Sequence, residues 1–446
     1  MDVLAAFSLF LAAMVLCLAT ESSMLTALAA GLVFFSAAAL HRGFSLRSVA
    51  GMIAKSTRKS FIVLRVLLLI GLITALWRAS GTIAFFVYYG IRLITPPLFV
   101  FIAFVLSAIL SYALGTSFGV AGTAGVIFMA LARSGGVSEV ITAGAVISGA
   151  YFGDRCAPSS SCANLIAAIT ETRLYSNVRL MLKTGALATL LTLAGFFVFS
   201  LQNPISAVDP SIVTALLQSF DLSLWAVVPA LFMLLLPLLG VGVRWALGAS
   251  IVSAFGVAVF LQGMPALDAL RTALLGYTPE SAALSSVLSG GGVLSMLNVI
   301  CIVLLSSTFS GIFEGTGMLD GIQHKISAAA GKTGLFPAML LTSIGTCGAF
   351  CNQTIAAMLS AQLLTRVYDD AGASRSELAM DMANSVVTIA GLIPWSIACA
   401  VPLQMLGTGI QAIPCCLLLW LTPLCYALLR HRFFPRRSAQ AVHQSS

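Results

Sequence analysis

Apolar runs of about 20 residues, the length a helix needs to cross a bilayer, recur along the whole chain with short polar punctuation between them. Windows near 2–20, 24–41, 60–78, 96–114, 116–133, 137–153, 180–201, 223–240, 244–262, 293–313, 335–365, 378–407 and 412–430 read as helices in or through a membrane. Several are too short, or too interrupted by Gly, Pro, Ser and Asn, to be plain spans. The pattern predicts an all-α polytopic membrane protein with roughly 10–13 membrane segments, some of them broken helices or re-entrant hairpins. Unpaired backbone at membrane depth is tolerated only against protein or in a water-filled cavity. The longest polar stretches are a loop at 42–59, a connection at 202–222 and the tail, none of which resembles a soluble insertion. Residues 1–446 are therefore expected to form a single membrane transport domain.

Composition agrees. Of 446 residues, 59% are hydrophobic and 9% charged, and the mean hydropathy is +1.03; soluble domains carry roughly 25% charged residues. The net charge of +8 comes from clusters such as Arg42, Arg47, Lys55, Arg58 and Lys59, and Arg430, Arg432, Arg436 and Arg437. By the positive-inside rule both clusters face the cytoplasm, which places both termini there and the acidic loops around Glu21 and Asp209 outside. The charge is a topology signal of a multi-pass inner-membrane protein with the lipid bilayer as its partner, and it gives a nucleic-acid reading little support. Residues 1–20 carry Asp2 as their only charge, so they read as a first span and not as a cleaved signal peptide. Ten cysteines lie mostly inside apolar segments, with no CxxC pair near a histidine, and behave as small hydrophobes. The four histidines, His41, His324, His431 and His443, fall at loops or in the tail, which argues against a histidine metal site or proton relay inside the membrane. "LSGGGVLS" (288–295) lacks the lysine of a phosphate-binding loop and reads as a flexible lead into a span. No enzyme chemistry and no organic cofactor is expected.

The informative feature is a pair of matched interruptions. "YALGTSFGVAGTAGVIFMALARSGG" (112–136) breaks a span with Gly, Ser and Thr, and is followed by "AGAVISGAYFGDRCAPSSSCANLIAAIT" (143–170). "SIGTCGAFCNQTIAAMLSAQLL" (343–364) does likewise, followed by "ELAMDMANSVVTIAGLIPWSIACA" (377–400). Gly115 to Asp154 spans 39 residues and Gly345 to Asp381 spans 36, so the halves read as repeats, approximately 60–201 and 293–430. Interrupted apolar segments at matching places in two halves point to the midplane site of a secondary transporter, where half-helix ends and unwound backbone supply ligands. Asp154 lies in the first interruption, followed by the oxygen donors Ser159, Ser160, Ser161 and Asn164, a set suited to a hard cation such as Na⁺. No other metal is implied. Asp381, Glu314 and Arg78 are the further intramembrane charges. Arg155 offers Asp154 an adjacent cation, and Asp381, four residues after Glu377, has the placing of a helix N-terminal acid. "GAYFG" (149–153) and "GIFEG" (311–315) are of the GxxxG kind and suit close helix packing.

Five blocks, 69–90, 115–131, 148–165, 351–364 and 392–407, together resemble the NhaC-type sodium/proton antiporter family, in the family's order and over most of the chain. The resemblance implies two inverted repeats with helical hairpins, Na⁺ or H⁺ or both as coupling ions, and a small ion or small molecule as substrate. It carries the family's first pattern onto Gly153, Asp154, Arg155, Pro158, Ser160 and Asn164, and its second onto Asn352, Gln353, Thr354, Asp381, Pro394 and Trp395. The same blocks hold Thr116, Ser117 and Ser396 as further lining residues. A homodimer is compatible with this reading.

Two departures matter. Where the family has a second acid followed by threonines, this chain has Ser161, Cys162 and Ala163; where the family has an uncharged residue after a tryptophan, it has Arg78. Both shift the expected cavity from a bare cation toward an anion, and the family includes members that exchange organic acids. Sodium/proton exchange by alternating access is thus the primary expectation, and H⁺- or Na⁺-coupled exchange of a small carboxylate or amino acid, with Arg78 in the substrate site, is the alternative. A channel would favour rings of identical groups about an oligomer axis, whereas interruptions duplicated within one chain favour a carrier.

Overall fold

The computed structural model describes residues 3–20, 22–93, 96–204, 210–318 and 334–434. Helices account for nearly all of it, and among the described residues there is no strand, only an isolated bridge between Tyr277 and Gly290. In chain order the helices are α1 Val3–Ala19, α2 Met24–His41, α3 Leu46–Ala79, α4 Thr82–Leu93, α5 Phe99–Leu114, α6 Ser117–Ser134, α7 Glu139–Cys156, α8 Ser161–Ile169, α9 Leu174–Gln202 and α10 Pro210–Ser219. They continue with α11 Val228–Leu238, α12 Val243–Phe260, α13 Ala266–Leu275, α14 Ala282–Leu288, α15 Leu297–Thr316 and α16 Leu335–Phe350. The last five are α17 Gln353–Asp370, α18 Arg375–Ala383, α19 Val386–Ala390, α20 Ile397–Met405 and α21 Leu417–Phe433.

The chain is an all-α polytopic membrane protein. Among the described residues three helical stretches, Ser117–Ser134, Leu174–Gln202 and Val293–Phe313, are long and apolar enough to span alone. Two bent pairs, Leu67–Ala79 with Thr82–Gly90 at 62° and Ile212–Ser219 with Leu224–Pro237 at 97°, reach that length together. Five more apolar helices of 10–17 residues, Ala5–Met14, Leu25–His41, Phe99–Leu114, Arg244–Phe260 and Leu335–Phe350, fall in five of the other windows. The stretch expected to be a loop at 42–59 is a correction: Ser45 caps a helix that begins at Leu46 and runs without a break to Ala79. Its polar start contains no proline, and a helix satisfies its own backbone whether or not lipid surrounds it.

Small residues set the closest helix contacts. A Cβ on Gly153 would fall 2.1 Å from the Ser111 carbonyl carbon, so the first GxxxG pair lets α7 lie directly on the α5 backbone, where Ser111 Oγ also donates to the Ala150 carbonyl. Gly311 and Gly315 receive Met52 and Ser56 of α3 in the same way, which makes the second pair a packing device. The Glu314 side chain lies outside the described residues. A cluster of edge-on rings, Phe7 and Phe10 of α1, Phe35 of α2 and Phe309 and Phe313 of α15, joins the N-terminal pair to the body. Such ring pairs contribute beyond their buried area.

Candidate functional site

Four helices begin around one point. Each starts at a break whose first residue caps it with its own side chain: Thr116 accepts from the Gly119 amide, Ser160 from Cys162 and Ala163, Asn352 from Thr354 and Ile355, and Ser396 from Ala398. Short polar side chains at N-caps satisfy amides that the helix leaves unpaired. The helices preceding two of these breaks end the same way, on a left-handed residue, Gly115 (φ 68°) and Cys351 (φ 56°). Thr116 to Ser160 is 44 residues and Asn352 to Ser396 is 44, so a single shift of 236 residues superposes cap on cap and Pro158 on Pro394. Under that shift Asp154 falls on Ala390 and Asp381 on Ala145, so neither acid has a counterpart.

The breaks hold one another. Gly115 approaches Ser159 so closely that a Cβ would lie 2.4 Å from the serine Oγ. The Ile397 amide donates to the Cys351 carbonyl at 2.8 Å, and Tyr151 Oη donates to the Ala398 carbonyl at 2.6 Å, tying α7 of the first half to α20 of the second. Asn164 Nδ2 donates to the carbonyls of Pro158 and Ser160 at 3.0 and 2.7 Å, releasing the crossover backbone from any need for solvent. Trp395 Nε1 donates to the Gly348 carbonyl at 2.8 Å.

Between the breaks lies a cavity of about 300 Å³, lined by Thr116, Ser117, Asp154, Ser161 and Cys162 from the first half and by Asn352, Gln353, Thr354 and the start of α20 from the second. Asp154 is 7% exposed and accepts a hydrogen bond from Ser117 Oγ at 3.3 Å. Gln353 bridges the halves, donating to Cys162 Sγ at 3.2 Å. Seven of the residues singled out from sequence line this space; Ser159, Ser160, Asn164, Trp395 and Ser396 build its framework and are absent from its wall.

Two expected site residues lie elsewhere. Asp381 is completely buried, but it accepts from Tyr368 Oη and Tyr426 Oη at 2.6 Å each and from Arg430 Nη2 at 2.8 Å. Arg430 also pairs with Glu377. This carboxylate is neutralised within the fold and faces none of the Asp154 cavity. Arg78 lines a different cavity, with Arg133. Arg155 does not pair with Asp154 either: its guanidinium points away, donating to Asn384 Oδ1 at 2.7 Å and to the Met181 carbonyl at 3.0 Å, in space that Gly185 leaves open. Sequence adjacency suggests the Asp154–Arg155 pair, yet neighbours on a helix point about 100° apart. Nothing in the sequence points to Asn384, since only tertiary folding brings it to Arg155. Cys162, read only as a departure from a family pattern, lines the cavity.

Asp154 is therefore a buried carboxylate for which no ion pair forms among the described residues. Hydroxyls, amides and four helix N-termini surround it, and these stabilise negative charge.

The Na⁺/H⁺ antiporter family model matches residues 1–163 and 149–429. An uncharacterized Na⁺/H⁺ antiporter of Haemophilus influenzae is 28% identical over 396 residues, 85% of this chain and 84% of that one. The malate-2H⁺/Na⁺-lactate antiporter of Bacillus subtilis is 27% identical over 372 residues, covering 79% and 77% of the two chains. The Na⁺/H⁺ antiporter NhaC of Bacillus subtilis is 28% identical over 406 residues, covering 89% and 90%.

Proposed function

We propose, from the premise that the chain belongs to the Na⁺/H⁺ antiporter family, that it exchanges Na⁺ for H⁺ at Asp154 by alternating access. The observation that carries this reading is the carboxylate without an ion-pair partner in a cavity walled by oxygen donors from both halves. Leaving a buried carboxylate uncompensated is expensive, so its counter-charge comes either from a proton or from a cation. One carboxylate that accepts only one of the two at a time gives exchange without separate gates. Ser117, Ser161, Asn352 and Thr354 supply neutral oxygens beside it, the chemistry of a hard monovalent cation. The identical spacing of caps under the 236-residue shift supports two repeats, which we take as inverted, rocking about this site. The basic clusters support a cytoplasmic-membrane topology with both termini inside.

One relative is named for exchanging malate and lactate. The corresponding reading for this chain requires Arg78 to face Asp154, and the two line separate cavities, so cation exchange is the better supported.

The test is Asp154→Asn reconstituted in proteoliposomes with an internal pH-sensitive dye. The variant should insert and melt as the wild type does yet show no proton movement on imposing a Na⁺ gradient. Wild-type rates in that variant would end the proposal.

A further inference from the structure

The cavity around Arg78 has the opposite chemistry. It measures about 200 Å³ and lies among the end of α3, the second half of α6, the 289–292 turn before α15 and the end of α20. Arg78 is 7% exposed, so it does not reach out to an interface. Its Nη1 donates to the Thr74 carbonyl one turn back. Its Nε is buried without a partner, and among the described residues no hydrogen bond involves Nη2. The Nε–H and the neighbouring Nη2–H form the flat edge of the guanidinium that a carboxylate meets with two parallel bonds.

The charge count leads to the same ligand. Arg133, the second guanidinium of the cavity, is offset by Glu139 at 2.8 Å and donates through Nη2 to the Leu406 carbonyl at 3.2 Å. Arg78 has no carboxylate partner among the described residues, so one positive charge is left over. A buried cation without a counter-charge is costly in the way described for Asp154. The remaining wall is uncharged: polar at Ser289, Ser295 and Gln404, with the Gly290–Gly291 turn, and apolar at Met129, Met296 and Met405. Gly291 (φ 78°) is pressed against α3, where a Cβ would come within 2.7 Å of the Ala75 amide nitrogen, so the turn meets α3 with backbone alone. The volume suits a ligand of a few heavy atoms.

We propose that this cavity binds a small monocarboxylate at the Arg78 guanidinium, at a site separate from the cation site. Val126, on its wall, is nine residues beyond Ser117 on α6, about 13 Å along the helix axis. The same pair of half-helices, α6 and α20, reaches both cavities: both begin at the Asp154 cavity and run on to the Arg78 cavity. The inference does not rest on Na⁺/H⁺ exchange at Asp154.

The test uses the full chain purified in detergent, with N-methylglucamine as the cation so that Na⁺ is absent, titrated with lactate against chloride at constant ionic strength. Lactate should raise the melting temperature saturably, because a ligand that binds only the folded state stabilises it, and chloride should not reproduce the effect. Arg78→Lys keeps the charge and loses the fork, so apparent lactate affinity should fall about tenfold or more, the worth of one charge-assisted bond. Arg78→Gln should abolish the response. Asp154→Asn should keep the lactate response while losing the Na⁺ response, which separates this proposal from the one above. No saturable lactate shift in the wild type, an equal shift with chloride, or wild-type affinity in Arg78→Lys each overturns it. Equilibrium dialysis of radiolabelled lactate against the Arg78→Lys variant reads the same quantity should Arg78→Gln not fold.

Discussion

Three buried charged residues in this chain look alike in sequence and differ in what surrounds them. Asp381 has two tyrosine hydroxyls and a guanidinium, Arg155 has an amide oxygen and a carbonyl, and Asp154 has only neutral donors, the Ser117 hydroxyl and the Gln353 amide, and a cavity. The first has all its partners within the fold, sharing Arg430 with Glu377, and these bonds tie α21 to α17 and α18. Arg430→Met would leave Asp381 and Glu377 facing each other without their shared cation; breaking a buried pair in this way costs about 3–5 kcal/mol. The expected outcome is a marked fall in melting temperature, with Na⁺-dependent proton movement retained by the fraction that folds. An unchanged melting temperature together with lost exchange would put Asp381 on the transport path after all. The pairing of Tyr368 and Tyr426 with this one carboxylate argues for the structural role, since each hydroxyl occupies a lone pair that an incoming ion would need.

At the scale of the helix, what distinguishes this chain is where helices stop. The apolar windows are legible because hydropathy is local, and the breaks are partly so, because Gly115, Pro158, Asn352 and Pro394 stand among further small and polar residues in two matching places; a lone proline such as Pro402 or Pro423 stays inside its helix. The register of the two halves is not legible. Matching glycine to acid gives spacings of 39 and 36, whereas the caps give 44 in both halves, because the caps hold the backbone and the acids do not. The partners of Asp381 and Arg155 are hidden for a related reason: Arg430 is 49 positions from the first and Asn384 is 229 from the second. The two left-handed break residues make a sharp comparison. Gly115 has both a positive φ and Ser159 in the way of a Cβ, so Gly115→Ala should lower the melting temperature and slow exchange. Cys351 already bears a side chain at φ 56°, which costs about 1–2 kcal/mol in that region. Cys351→Gly should therefore be neutral or stabilising in the same melt, less whatever its buried thiol contributes. Equal losses from both changes would mean that the breaks are not held by backbone conformation.

For the molecule as a whole, a single cavity built from both halves implies that its walls part in two directions. Cys162 is a native probe of that motion: it lines the cavity from the first half and receives a hydrogen bond from Gln353 of the second, so any rocking of one half against the other changes its surroundings. The chain has ten cysteines, and among the described residues none forms a disulfide, so the other nine can be replaced without breaking a covalent link. In that background a membrane-impermeant thiol reagent should label Cys162 from outside in right-side-out vesicles and from inside in inverted ones. Saturating Na⁺ should slow labelling from both directions, because the ion would occupy the space beside Asp154 that the reagent must enter. Adding Asp154→Asn should remove the protection by Na⁺ and leave the thiol reachable, since the cavity remains and only its charge is gone. Labelling from one face alone under every ion and pH condition would describe a fixed pocket, which cannot exchange anything; labelling from both faces at once, unaffected by Na⁺, would describe an open pore. Only reachability from either side, with protection that depends on the carboxylate, fits a carrier in which one unpaired acid is handed between two solutions.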